Sequence, residues 1–296
     1  MENNKTTFFI MTQKGFEVLR VVINQVGSTA IDKVICSRDQ NLRNDFYDDI
    51  KILCEAERIT FIDRKEATSV TSKYAIAISW RWLIQLESTK LIVLHDSLLP
   101  RYRGFAPLVN ALINGESEVG VTAIFSTSEF DKGDIIAIQS IPINYPVKIQ
   151  EIIERISHLY ANIVVEIIHC INKNLPIAAI KQEEDQASYS LWLNDDDYYV
   201  DWNRDAQYIS RFIDAVGYPY KGACTSDGHA AYRIWDVDVE PDLKIENRQV
   251  GKVLFIKDNC PVVVCKTGLL RINKLTLSND ESALPLKKIR TRFLSK

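Results

Sequence analysis

Short apolar runs alternating with amphipathic segments fill the first half of the chain, and this alternation constrains the fold more than any other feature. Phe8-Phe9-Ile10-Met11 reads as a first strand, with residues 15–22 as the helix after it. Further strands are expected at 33–36, 59–62, 74–78 and 91–94, and another at 120–125. Helices are expected over 107–113, where Pro107 suits a first turn, and over 150–172, where the amphipathic pattern is long. Strand and helix in repeated succession make βαβ units around a mainly parallel, Rossmann-like sheet with flanking helices.

The pattern changes after about residue 180. Gln182-Glu183-Glu184-Asp185-Gln186 and Asn194-Asp195-Asp196-Asp197 are polar and acidic, and read as surface connection. One helix over 205–216 follows, then short strands at 231–235, 250–256, 261–265 and 269–275. The expected organisation is an α/β domain over 1–180, a linker over 181–204, and a C-terminal domain over 205–296 with one helix and a small β module. No internal repeat is present.

With 296 residues and 46% apolar side chains, the chain has enough material for an ample core and about two domains. A net charge of −3 argues against a protein that holds nucleic acid by bulk electrostatics. The six cysteines are scattered, without CxxC or zinc-type spacing, and read as buried thiols of a reducing cytoplasm. No stretch is long and apolar enough to span a bilayer, and the first residues lead into a strand. A cytoplasmic protein is expected, with no metal and no membrane partner. The strands of the second half offer an edge on which a second copy can pair to make a homodimer.

Two segments carry chemistry. Leu94-His95-Asp96-Ser97-Leu98-Leu99-Pro100-Arg101-Tyr102-Arg103-Gly104 puts a histidine where an apolar strand meets a loop, the place where open α/β sheets form their ligand crevice. Taken alone, His95 can equally cap the strand or bond a loop carbonyl. Downstream lies Glu129-Phe130-Asp131-Lys132-Gly133-Asp134, whose aspartate can orient an imidazole from a neighbouring strand end or serve as a turn residue bonding its own backbone. Asp134 reads as loop-shaping. Asp96 reads either as functional or as a loop-bonding carboxylate. No glycine-rich phosphate fingerprint is present.

Together these segments resemble the folate-dependent formyltransferases, a group that includes methionyl-tRNA formyltransferase, glycinamide ribonucleotide transformylase and the N-formyltransferases of nucleotide-linked amino sugars. The family pattern is Asn-x-His-x-Ser-Leu-Leu-Pro-x-Tyr-Arg-Gly followed by an Asp-x-Gly loop. It places His95 and Asp131 in the catalytic positions, and Val93 where the family has asparagine. Ala187-Ser188-Tyr189-Ser190-Leu191-Trp192 and Gly217-Tyr218-Pro219-Tyr220-Lys221-Gly222-Ala223 extend the likeness into the second half, where the resemblance implies a small open, OB-like barrel. The second of these segments is closest to the sugar-modifying branch.

The resemblance implies 10-formyltetrahydrofolate as cosubstrate, held by Trp82, Leu83, Asp131 and Asp134. It implies a small-molecule acceptor, a nucleotide-linked amino sugar, met by Arg103, Tyr189, Tyr218 and Tyr220. Arg103 and Arg101 can face a phosphate or carboxylate, or solvate an exposed loop. Trp80 can join the pterin pocket or pack, and Trp192 offers a further stacking face. Alternatives to the sugar enzyme are a methionyl-tRNA formyltransferase, a formyl-folate hydrolase, and a non-catalytic binding relative motivated by Val93. Valine cannot donate to a developing oxyanion, and losing one such donor costs about 10²–10³ in rate. Asn110, Ser97 or a backbone amide stand as replacements.

Overall fold

A computed structural model describes residues 4–67 and 69–296. It divides into two compact units that interleave along the chain: Met1–Leu108, Glu118–Pro142 and Glu151–Leu191 form the first, and Val109–Ser117, Ile143–Gln150 and Trp192–Lys296 the second. The expected division at 180 and 205 is contiguous, whereas the units exchange two short segments, 109–117 and 143–150.

The first unit is built on β1 (Thr6–Ile10), β2 (Ile31–Cys36), β3 (Thr60–Asp63), β4 (Tyr74–Ile78), β5 (Lys90–His95), β7 (Glu118–Phe125) and β8 (Ile135–Pro142). Their order is β3-β2-β1-β4-β5-β7-β8, parallel through β5 and antiparallel at β7 and β8. β6 (Arg103–Gly104) pairs separately with β9 (Tyr189–Ser190). Helices α1 (Thr12–Gln25), α2 (Tyr47–Ala56), α3 (Pro107–Asn114) and α4 (Ile149–Asn172) complete the α/β arrangement expected from the alternation.

The two faces of this sheet are covered differently. α1 and α4 approach the β5 end from the side of Asp96, which bonds both Lys14 of α1 and Tyr160 of α4. The opposite face carries the register row Ile35, Phe9, Ala77, Val93, Ile124, and His95 shares it because residues two apart in a strand point the same way. Over its first half this row is packed by Val70, Trp80, Ile84 and Leu86, none of them on an α-helix.

The second unit holds α5 (Ala206–Ala215) and an antiparallel sheet of β10 (Ala223–Ser226), β11 (Ala231–Glu240), β12 (Val253–Lys257), β13 (Cys260–Val264) and β14 (Leu269–Leu277). The sheet order is β10-β11-β14-β13-β12. The chain end joins its two edges: Phe293 N–H donates to the Gly251 carbonyl at 2.7 Å, and Leu294 N–H to the Ser226 carbonyl at 2.7 Å. The bridges Lys252↔Arg292 and Ser226↔Leu294 follow. The chain end thus ties the two edges of this antiparallel sheet together.

All six cysteines are free thiols, and burial pushes Cys36, Cys54 and Cys265 up to about 12. No helix among the described residues is long and apolar enough to cross a membrane.

Candidate active site

His95 is the last residue of β5, is 8% exposed, and pairs with Thr122 on β7. Its Nε2 lies 2.8 Å from the Tyr102 carbonyl oxygen. A carbonyl can only accept, so Nε2 carries the hydrogen and the neutral ring's lone pair sits at Nδ1. Nδ1 faces Asp131 Oδ1 at 3.6 Å. That separation is too long for a hydrogen bond and sets two acceptors opposite each other. The ring is thus oriented through one nitrogen and left chemically available at the other.

Asp131 is held on the β7–β8 turn with φ +56, a left-handed conformation that costs a non-glycine residue about 1–3 kcal/mol. Three hydrogen bonds keep it there. Its Oδ2 accepts from the Gly104 N–H at 2.8 Å, and the Gln182 amide donates to the Asp131 and Gly133 carbonyls at 2.7 and 2.8 Å. Both glycines are required where they stand. A Cβ on Gly133 would lie 1.6 Å from the Phe125 carbonyl oxygen, and one on Gly104, at φ +100, would lie 2.6 Å from that of Ser190.

Arg103 corrects an expectation. Rather than facing an acceptor phosphate, it is fully buried and its guanidinium is bonded to partners inside the protein. It donates to Gln182 Oε1 at 3.1 and 2.8 Å and to both Glu184 oxygens at 2.9 and 2.8 Å. Pairing with Glu184 raises its pKa further above the ordinary value and lowers that of the Glu184 carboxyl. Glu184, Arg103, Gln182 and the Asp131 turn therefore form one connected chain. Residues 180–190 form a strap across the site: Ile180 bridges Ile135, and Arg103 and Gly104 pair with Tyr189 and Ser190. Sequence reading missed Gln182 and Glu184, because nothing local distinguishes them from a solvated polar run.

Asp96 is also not a free loop carboxylate. It forms an ion pair with Lys14, itself 7% exposed, and accepts from the Tyr160 hydroxyl at 2.5 Å. Burial alone would push its pKa up, but the Lys14 charge, the bonds from Lys14 and Tyr160 and the neighbouring His95 outweigh it and hold the carboxyl below the ordinary range.

Val93 joins two apolar clusters, one around Phe9 and Ala77 and one of Leu99, Ile124 and Ile135. Of the replacement donors, Ser97 is committed, since its hydroxyl donates to the Arg101 carbonyl at 2.8 Å. Asn110 lies on α3.

The loops at the strand ends leave large apolar side chains exposed. Trp82 is 36% and Leu83 71% exposed after β4, Phe130 is 71% exposed beside Asp131, and Phe105, its ring 6.5 Å from that of Phe130, is 46% exposed. Exposed apolar groups around a few fixed polar ones fit a heteroaromatic ligand such as a pterin. The Asp134 side chain is exposed, and its backbone carbonyl accepts from the Phe125 N–H at 3.0 Å, closing the turn. Tyr189 is exposed on β9 of the first unit, whereas Tyr218 and Tyr220 belong to the second, just ahead of β10.

Residues 56–168 match the formyl transferase family, and residues 193–286 match the formyl transferase C-terminal domain. The chain belongs to the formyltransferase family. That family uses 10-formyltetrahydrofolate. Among curated proteins, the chain is 28% identical to methionyl-tRNA formyltransferase of Natranaerobius thermophilus over 72% of its own length and 68% of the relative's. It is 30% identical to the Alkaliphilus oremlandii enzyme of that name, over 67% and 63%. The chain thus spans about two thirds of the length of these relatives. Among solved structures, it superposes on the Helicobacter canadensis N-formyltransferase in complex with folinic acid and dTDP-3-aminofucose, with a TM-score of 0.63 at 16% identity, over 90% of this chain and 98% of that one. WlaRD, a sugar 3N-formyl transferase crystallised with dTDP and 5-N-formyl-THF, gives 0.66 at 16% identity over 90% and 96%.

Proposed function

We propose that this formyltransferase moves the formyl group of 10-formyltetrahydrofolate to the amino group of a nucleotide-linked amino sugar, with His95 and Asp131 as its catalytic residues. The observation that carries the reading is the His95 Nδ1 edge, buried and open toward Asp131 at 3.6 Å while Nε2 is fixed to Tyr102. When bound, the folate supplies the formyl carbon and takes back N10 as leaving group. Its pterin is held by the loop bearing Trp82 and Leu83 and by the turn bearing Asp131 and Asp134.

The incoming amine must be neutral to form the new C–N bond, and that bond pushes the carbonyl electron pair onto oxygen. His95, protonated at Nδ1, donates to that oxygen, and Asp131 stabilises the imidazolium. The amine then carries one proton too many. Asp131 and His95 pass it, directly or through a water, to N10, whose bond to the formyl carbon breaks. Atoms balance: a formamide and tetrahydrofolate leave, and the site returns to its starting protonation.

Support for a nucleotide-sugar acceptor comes from the ligands of the solved relatives, which cover nearly their whole length, and from the net charge of −3. A second reading, the charged initiator tRNA, is favoured by the curated relatives. The test is incubation with 10-formyltetrahydrofolate and either dTDP- and UDP-linked amino sugars or methionyl-tRNA, read by mass spectrometry for one added formyl group. Sugar formylation supports the proposal, and formylation of the tRNA alone overturns it.

A further inference from the structure

Residues 283–296 carry five Lys or Arg and no Asp or Glu, in a chain whose net charge is −3. One of the five, Lys296, is paired with Asp196. The other four, Lys287, Lys288, Arg290 and Arg292, are exposed and enter no ion pair among the described residues.

The fold fixes where these charges lie. The Val253 N–H donates to the Thr291 carbonyl at 3.0 Å and Lys252 bridges Arg292, so the segment runs beside the start of β12. Lys252, exposed and likewise without an ion pair among the described residues, adds a fifth cation to the same surface. Phe293 is buried against the rings of Trp202 and Tyr232, each 6.0 Å away, and pins the segment to the unit. Alternation along an extended chain then turns its neighbours Arg292 and Leu294 outward, and both are exposed. Lys257, at the far end of β12, is held by Glu240 at 2.9 Å and stands apart from this surface.

Large apolar side chains are interleaved with the cations. Ile289, between Lys288 and Arg290, is 54% exposed, Leu294 is exposed, and β12 is an edge strand whose Leu254, Phe255 and Ile256 are exposed as well. Unpaired cations around exposed aliphatic groups complement a surface that is anionic outside and apolar beneath, as an anionic phospholipid bilayer is: its phosphates take Lys and Arg, and its acyl boundary takes Ile and Leu. RNA offers the same phosphates, but its bases are held by stacking rings, and of these five apolar side chains only Phe255 is aromatic. Such attachment lies on the membrane surface and calls for no spanning helix.

We propose that this face of the second unit docks on an anionic membrane surface, held by Lys252, Lys287, Lys288, Arg290 and Arg292 and entered by Ile289 and Leu294. All of these residues belong to the second unit, whereas His95 and Asp131 belong to the first, so docking places the enzyme without altering its chemistry.

The test is co-sedimentation of the full chain with vesicles of phosphatidylglycerol or of phosphatidylcholine. Binding to phosphatidylglycerol is expected to be at least tenfold tighter than to phosphatidylcholine, and to weaken as salt is raised because exposed charges are screened. Lys288→Glu combined with Arg290→Glu is expected to weaken it at least tenfold, and Ile289→Ser at least twofold, with thermal unfolding and formyl transfer unchanged in both. Absence of sedimentation, equal binding to the two lipids, or unaltered binding in either variant overturns the proposal. Tighter binding to a single-stranded RNA of mixed sequence than to phosphatidylglycerol also overturns it, because the surface would then belong to nucleic acid.

Discussion

His95 is fixed at Nε2 by a backbone carbonyl and faces Asp131 through Nδ1, so under the proposed mechanism its removal takes away proton donation and acceptance together. His95→Ala is expected to lower kcat by about 10²–10⁴-fold, the usual size of a positioned acid or base, with a small change in KM for the amine. Steady-state kinetics checks this, and unchanged turnover removes His95 from the mechanism. Val93 poses the complementary question. Val93→Asn returns the donor of the family pattern to its place but sets a polar amide among Leu99, Ile124 and Ala77. It is expected to retain or raise kcat while lowering unfolding free energy by about 1–3 kcal/mol, measured by chemical denaturation. A collapse of activity in a folded protein would show a pocket rebuilt around valine. His95 and Asp131 were picked out because the histidine at a strand end and the Asp-x-Gly turn lie in segments that resemble the family pattern, and the structure brings their side chains to 3.6 Å. The role of Arg103 was not, since its partners Gln182 and Glu184 stand 79 and 81 residues further on.

Among the elements, the strap formed by residues 180–190 does the work that the first unit's helices do not. It pairs β9 with β6, covers Arg103, and fixes the Asp131 turn through one glutamine amide. Gln182→Leu removes both bonds to that turn while leaving His95 and Asp131 in place. It is expected to lower kcat about tenfold or more with KM for the amine little changed, and Gln182→Glu, which keeps Oε1-type acceptors but no donor, is expected not to rescue it. Loss of stability without any change in kcat would make the strap purely structural. The strands and amphipathic helices could be read from periodicity, because burial on one face repeats along the chain. The strap could not: its polar run serves buried partners, and polarity in sequence gives no sign of whether the partner is water or protein.

Across the first unit, α1, β5 and α4 meet at one buried cluster of Lys14, Asp96 and Tyr160. Asp96→Asn leaves the Lys14 charge unpaired and is expected to cost about 3–5 kcal/mol in unfolding free energy. The pH dependence follows from the lowered folded pKa of Asp96. Its contribution is fully present above the unfolded value of about 3.9 and is lost as pH falls through the lower folded value. Thermal unfolding of the native chain is expected to fall more steeply than that of Asp96→Asn in this acidic window, and parallel curves would contradict it. At this scale the order of α/β unit and β module was legible in the sequence, whereas the exchange of residues 109–117 and 143–150 between the units was not, since contact rather than chain order decides it. Formyl transfer at His95 and Asp131 is read out by mass spectrometry of dTDP- and UDP-linked amino sugars incubated with 10-formyltetrahydrofolate and either the native chain or His95→Ala. A single formyl group added by the native chain, with at least a hundredfold slower addition by the variant, is the predicted result, and equal rates or no transfer to any amine would contradict it.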